Sequence, residues 1–98
     1  MDFFVDFDLK GSSNYAFNII LNPSFKSKIK KLINSLNKNN IEFRVGSAGG
    51  GNQLRQPYLK KILKKNFYKK FPITEYVHKY GMYIGNYPEL SKKDILFI

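Results

Sequence analysis

The sequence predicts a small α/β (α+β) domain, a three-stranded sheet with helices packed on one face. Three observations lead there. Two β-rich runs flank a segment of helical periodicity, a third β-rich run follows a glycine loop, and start and stop residues separate them. The order β–α–β–loop–α–β–α in one short chain is that of a two-layer sandwich.

Tyr15 to Leu21 (YAFNIIL) reads as the first strand, with Phe17, Ile19 and Leu21 on its inner face. Asn22-Pro23 then starts a helix, asparagine as N-cap and proline at the first helical position. Phe25, Ile29, Leu32, Ile33 and Leu36 follow helical spacing, with lysines opposite. Asn39-Asn40 is its left-handed stop. Ile41 to Val45 alternates as a second strand, Ile41, Phe43 and Val45 inward and Glu42 with Arg44 outward. Gly46 to Asn52 is a loop. Gln56-Pro57 opens a second helix with Tyr58, Leu59, Ile62 and Leu63 inward and Arg55 near its mouth. Lys64 to Lys79 is less regular, with Pro72 breaking any helix. Tyr80 to Gly85 is the third strand and Asn86-Tyr87-Pro88 a turn. Ser91 and Asp94 then form a capping box ahead of Ile95, Leu96 and Ile98.

The 98 residues (1–98) make a single small domain. A capped helix that has barely begun, and the aromatic, acidic lead-in FFVDFDLKGSSN, are expected to be the two ends of a fragment of something longer. The absence of cysteine removes a disulfide framework, and one histidine argues against a zinc site. No run of roughly eighteen apolar residues exists, so no membrane partner is expected. With no signal-peptide pattern at the start, the expected location is cytoplasmic. The net charge of +10 raises a nucleic-acid or other polyanion surface. The lysines are scattered in two segments among many Asn, Ile, Phe and Tyr, which favours a solvated face over a nucleic-acid site.

Arginine is the sharper signal. Only Arg44 and Arg55 interrupt a lysine background of fifteen, and they bracket the glycine loop of GGGNQLRQP. A planar guanidinium recognises phosphate or carboxylate with two prongs, where lysine offers a point charge. Arg44, Asn52 and Arg55 are therefore expected to converge on one concave surface. The loop lacks the GK[ST] of a phosphate-binding loop, and its glycine spacing misses the dinucleotide fingerprint. His78 has no nucleophile arranged with it and reads as a packing residue. Tyr80, Tyr83 and Tyr87 read as core and rim rather than a platform for stacking bases.

The pieces SSNYAFNIIL, IEFR, GGGNQLRQPYLKK and FPITEYVHKYGMYIGNYPELSKKDI, in this order, resemble the C-terminal domain of the DegT/DnrJ/EryC1/StrS family. The resemblance runs from about Ser12 to Ile98. The GNxxRQP and YGMYIGNYPEL runs are most similar to the branch of sugar 3-dehydratases and sugar aminotransferases of lipopolysaccharide synthesis. These enzymes use pyridoxal phosphate on nucleotide sugars and are usually homodimers. The resemblance implies a fold like the C-terminal domain of fold-type I pyridoxal-phosphate enzymes. It implies a domain that helps close the sugar-nucleotide site, with Arg44, Asn52 and Arg55 facing substrate and Gln56 a further candidate. The family's large domain, with its Schiff-base lysine or the dehydratases' histidine, has no counterpart here. No catalytic residue and no bound cofactor are therefore expected in this chain, and a large-domain partner chain is implied. Gly46-Ser47-Ala48 departs from the family pattern. A stand-alone basic module for nucleic acid or another polyanion is the alternative.

Overall fold

The computed structural model describes Lys10 and residues 15–98, so the lead-in through Asn14 lies, apart from Lys10, outside the described residues. Three strands, β1 (Ala16–Ile20), β2 (Phe43–Val45) and β3 (Gly81–Gly85), form an antiparallel sheet in the order β1-β3-β2. Among the described residues four α-helices accompany it: α1 (Ile29–Lys38), α2 (Pro57–Lys60), α3 (Pro72–Tyr80) and α4 (Lys92–Phe97). This is a small α/β protein.

The last strand in sequence is the central one, and its composition shows why. In GMYIG the residues Gly81, Met82 and Ile84 are buried, as a strand flanked on both edges requires. The register sets Phe17 and Phe43 against Ile84, and Ile19 and Val45 against Met82. Directly opposed residues share a face, so these six make one apolar face, while Arg44 pairs with Tyr83 on the other. The expected split of Phe43 and Val45 from Arg44 is what the register shows. Phe17 and Val45, expected inside, sit at the rims of short edge strands and remain 38% and 40% exposed.

The segment from Pro23 to Lys38 keeps its expected apolar stripe: Leu36 is buried and Phe25, Ile29, Leu32 and Ile33 are half-buried. Its first part, Pro23–Lys28, winds as a 3-10 helix before α1 begins, a common form at a helix entry. Asn22 Oδ1 accepts from the Ser24 amide at 3.4 Å. At the exit Asn40 takes φ 55, and the Ile41 amide reaches back to the Leu36 carbonyl at 2.9 Å. That is the six-to-one closure of a left-handed helix stop.

Two expectations are corrected downstream. The second helix is a single turn, so no helical stripe carries its side chains inward; Tyr58 and Ile62 are 56% and 78% exposed, and only Leu59 and Leu63 are half-buried. Pro72 does not break a helix but opens one. As the first residue of α3 it lacks an N–H that would have no helical partner there. Tyr76 of α3 then donates its hydroxyl to the Leu21 carbonyl at 2.6 Å, tying α3 to the end of β1. The Ser91–Asp94 capping box forms as expected at α4.

Candidate functional site

Leaving β2, the chain passes directly under α3. The Gly46 amide donates to the Gly81 carbonyl at 2.6 Å, and a β-carbon at Gly46 would strike the Val77 carbonyl. Gly46 is thus the residue at which loop and helix backbones touch. Three glycines follow at φ 68, 102 and 59 for Gly49, Gly50 and Gly51. At Gly51 the left-handed conformation coincides with contact against the His78 ring, so glycine is required twice over.

Asn52 turns the loop into a fixed structure. It is 3% exposed, and each of its polar groups has a partner. Its backbone amide donates to His78 Nδ1 at 3.0 Å, its Nδ2 to Glu75 Oε1 at 2.7 Å, and its Oδ1 accepts from the Leu54 amide at 3.1 Å. The last bond caps the 3-10 turn Gln53–Arg55. Because Nδ1 accepts, the neutral His78 ring carries its proton on Nε2. Arg55 completes the arrangement with two parallel bonds, Nε to Glu75 Oε1 at 2.7 Å and Nη2 to Oε2 at 2.6 Å. Its guanidinium carbon lies 4.2 Å from the centre of the Tyr68 ring. Gln56 Nε2 closes the loop onto the Gly50 carbonyl at 2.7 Å.

Glu75 is the hub. It is buried at 9% exposure and accepts three hydrogen bonds, two of them from a cation. The Arg55 guanidinium holds its carboxyl well down, from 4.5 to about 2, with Asn52 helping and burial opposing. The same contact raises Arg55 above its usual value. A carboxyl whose folded value lies below its ordinary one stabilises the fold fully above about pH 4.5, and that stabilisation is lost as pH falls toward 2. Acid unfolding followed by circular dichroism should therefore show a limb in this window. Glu75→Gln, which cannot titrate, should flatten it.

The sequence-predicted residues divide between two places. Asn52, Arg55 and Gln56 come together in the loop, joined to Glu75 and His78 of α3. Arg44 does not join them. It is paired with Glu42 at 3.2 Å, both side chains largely exposed, and lines a cleft of about 640 Å3 with Tyr15, Phe43, Tyr83, Tyr87 and Phe97. None of Asn52, Arg55 and Gln56 lines that cleft. The expected single concave surface is thus replaced by a loop latch and a separate cleft, because each arginine has its own carboxylate.

Glu75, His78 and Tyr68 were missed as partners of the loop. One signal for Glu75 was available: it is the only acidic residue between Glu42 and Glu89, in a region crowded with cations. Among the described residues no group of three His, Asp or Glu side chains is placed to hold a metal, and no helix is long and apolar enough to cross a membrane. Comparison with known proteins finds no matching family, no similar curated protein and no similar solved structure.

Proposed function

We propose that this chain is the substrate-closing C-terminal domain of a pyridoxal-phosphate-dependent nucleotide-sugar aminotransferase or 3-dehydratase. It would resemble the DegT/DnrJ/EryC1/StrS enzymes of lipopolysaccharide or deoxysugar synthesis and be inactive by itself. One observation supports this reading most. The two segments that carry the resemblance, GGGNQLRQPYLKK and FPITEYVHKYGMYIG, meet in one latch, Asn52 and Arg55 of the first binding Glu75 and His78 of the second. A domain that closes over a substrate must hold its contact loop at fixed distance from its scaffold, since small misplacements are costly.

Within this reading the residues have different tasks. Asn52 is buried and positions the loop. Gln56 holds the Gly50 carbonyl. Arg55, fixed by Glu75 and lying on Tyr68, keeps 30% of its side chain exposed and is the group that meets a phosphate or sugar hydroxyl. Arg44 provides a separate contact from its own cleft. Pyridoxal phosphate supplies carbanion stabilisation when bound in such enzymes. Every described lysine here is exposed and none lines the cleft, so these residues do not fit a Schiff-base site and no chemical step is assigned to them.

Co-expression with the protein encoded immediately upstream tests the proposal. A complex should form whose turnover of a nucleotide sugar requires both chains, while this chain alone shows neither an aldimine absorbance band nor transamination. In the complex Arg55→Lys should weaken nucleotide-sugar binding about tenfold, because an ammonium cannot bond Glu75 with two prongs and still present further N–H groups to a ligand. Full activity without this chain, or unchanged binding by the lysine variant, would remove the reading.

A further inference from the structure

Between Glu42 and Glu75 the chain contains no acidic residue, yet it carries Lys60, Lys61, Lys64, Lys65, Lys69 and Lys70. All six are exposed. The same stretch exposes large apolar side chains: Tyr58 and Phe71 at 56% and 46%, Ile62 and Ile73 at 78% and 80%. The latch uses none of these lysines or isoleucines. The segment is nevertheless anchored, since α2 and the 3-10 turn Phe67–Lys70 both pack against the turn Gln53–Arg55. Phe67 and Phe71 pack ring against ring at 5.8 Å, and the Lys70 ammonium lies 5.1 Å from the Phe67 ring centre.

We propose that residues 58–73 are a peripheral docking surface for an anionic lipid bilayer. The lysines meet the acidic headgroups, and Ile62, Phe71 and Ile73 enter the boundary between headgroups and acyl chains. Charge alone would suit a polynucleotide equally well, and tyrosine or phenylalanine could stack on bases. The isoleucines decide between the two. An exposed aliphatic side chain gains nothing from a phosphate backbone, whereas a bilayer interface buries it beside the cations that bind its headgroups. The expectation of no membrane partner rested on the lack of an apolar span, which is a criterion for crossing a bilayer and not for lying on one.

The test uses the full chain with vesicles of phosphatidylcholine, with or without phosphatidylserine, in co-sedimentation at low and moderate salt. Binding is expected only to the phosphatidylserine vesicles, falling with salt, and about fivefold weaker for each of Lys60, Lys61, Lys64 and Lys65 changed to glutamine. Ile62→Ser combined with Ile73→Ser should weaken it at least about tenfold, with an unchanged far-ultraviolet circular dichroism spectrum because both side chains are exposed. The chain has no tryptophan, so Ile62→Trp gives a second readout. Its emission should move to the blue on phosphatidylserine vesicles and stay in place with polyuridylate RNA. The proposal is overturned if the chain fails to sediment with phosphatidylserine vesicles or if the double serine variant sediments as well as the parent. A tryptophan that responds to RNA as it does to vesicles, or does not respond to vesicles, overturns it too.

Discussion

Replacing Glu75 by alanine should destabilise the fold by about 2–4 kcal/mol, the scale expected when a buried partner of charged hydrogen bonds is removed. For a domain of this size the thermal midpoint should fall by roughly 10 °C or more. The carboxylate accepts from Asn52 Nδ2 and from two nitrogens of Arg55. Its removal leaves the buried Asn52 amide without an acceptor and frees the guanidinium from its fork. Glu75→Gln should cost less, because its carbonyl still accepts from Asn52 while the charge is lost. A double-mutant cycle with Arg55→Ala isolates the pair, since residues in direct contact couple and distant ones add. Simple additivity in that cycle, or an alanine variant as stable as the parent, would show that the latch does not hold the loop.

This result would also revise what the arginine signal means. A rare arginine in a lysine-rich chain does mark a geometric requirement, but for Arg55 part of that requirement is internal. The bidentate acceptor is Glu75, twenty residues away, so the fork organises the domain before it meets any ligand. An Arg55→Lys variant should therefore lose stability as well as ligand affinity, contrary to what an exposed arginine alone would suggest.

What could be read from the sequence followed the range of the interaction. The Asn22 cap, the Asn40 stop and the Ser91–Asp94 box involve residues at most five apart, and their chemistry is visible in the residue types. The face assignment of Phe43, Arg44 and Val45 follows from the pleat alone. Pro72 is ambiguous in the sequence because proline means opposite things inside a helix and at its first position, and only the downstream run ITEYVHKY distinguishes them. The central place of β3 and the Glu75 hub depend on pairings across 20 residues or more, which periodicity does not encode. Arg44 and Arg55 stood out correctly as unusual residues. Their separation came from partners that the alternation could not rank, Glu42 two residues away and Glu75 twenty.

Alanine at Gly46 should cost about 3 kcal/mol, at the upper end of what overpacking produces, and more than alanine at any glycine of the GGG run. The four positions differ in kind. Gly49 has a left-handed φ of 68 but open space around its β-carbon direction, so Gly49→Ala meets only conformational strain, about 1–2 kcal/mol. Gly50 adds contacts with the ends of the Gln53 and Gln56 side chains, which can move aside. At Gly51 the new methyl would meet the His78 ring and, less closely, the Ser47 backbone, and expelling the ring would break its bond from the Asn52 amide. At Gly46 the obstacle is the Val77 carbonyl with the His78 carbonyl beside it, backbone atoms inside α3 that no rotamer change can displace. Relief there requires β2 and α3 to separate, straining the bond from the Gly46 amide to the Gly81 carbonyl. Urea unfolding of the four alanine variants should therefore order the midpoints Gly49 highest, then Gly50, Gly51 and Gly46. A Gly46→Ala midpoint at or above that of Gly49→Ala would mean that loop and helix are not in backbone contact, and the latch would lose its upstream anchor.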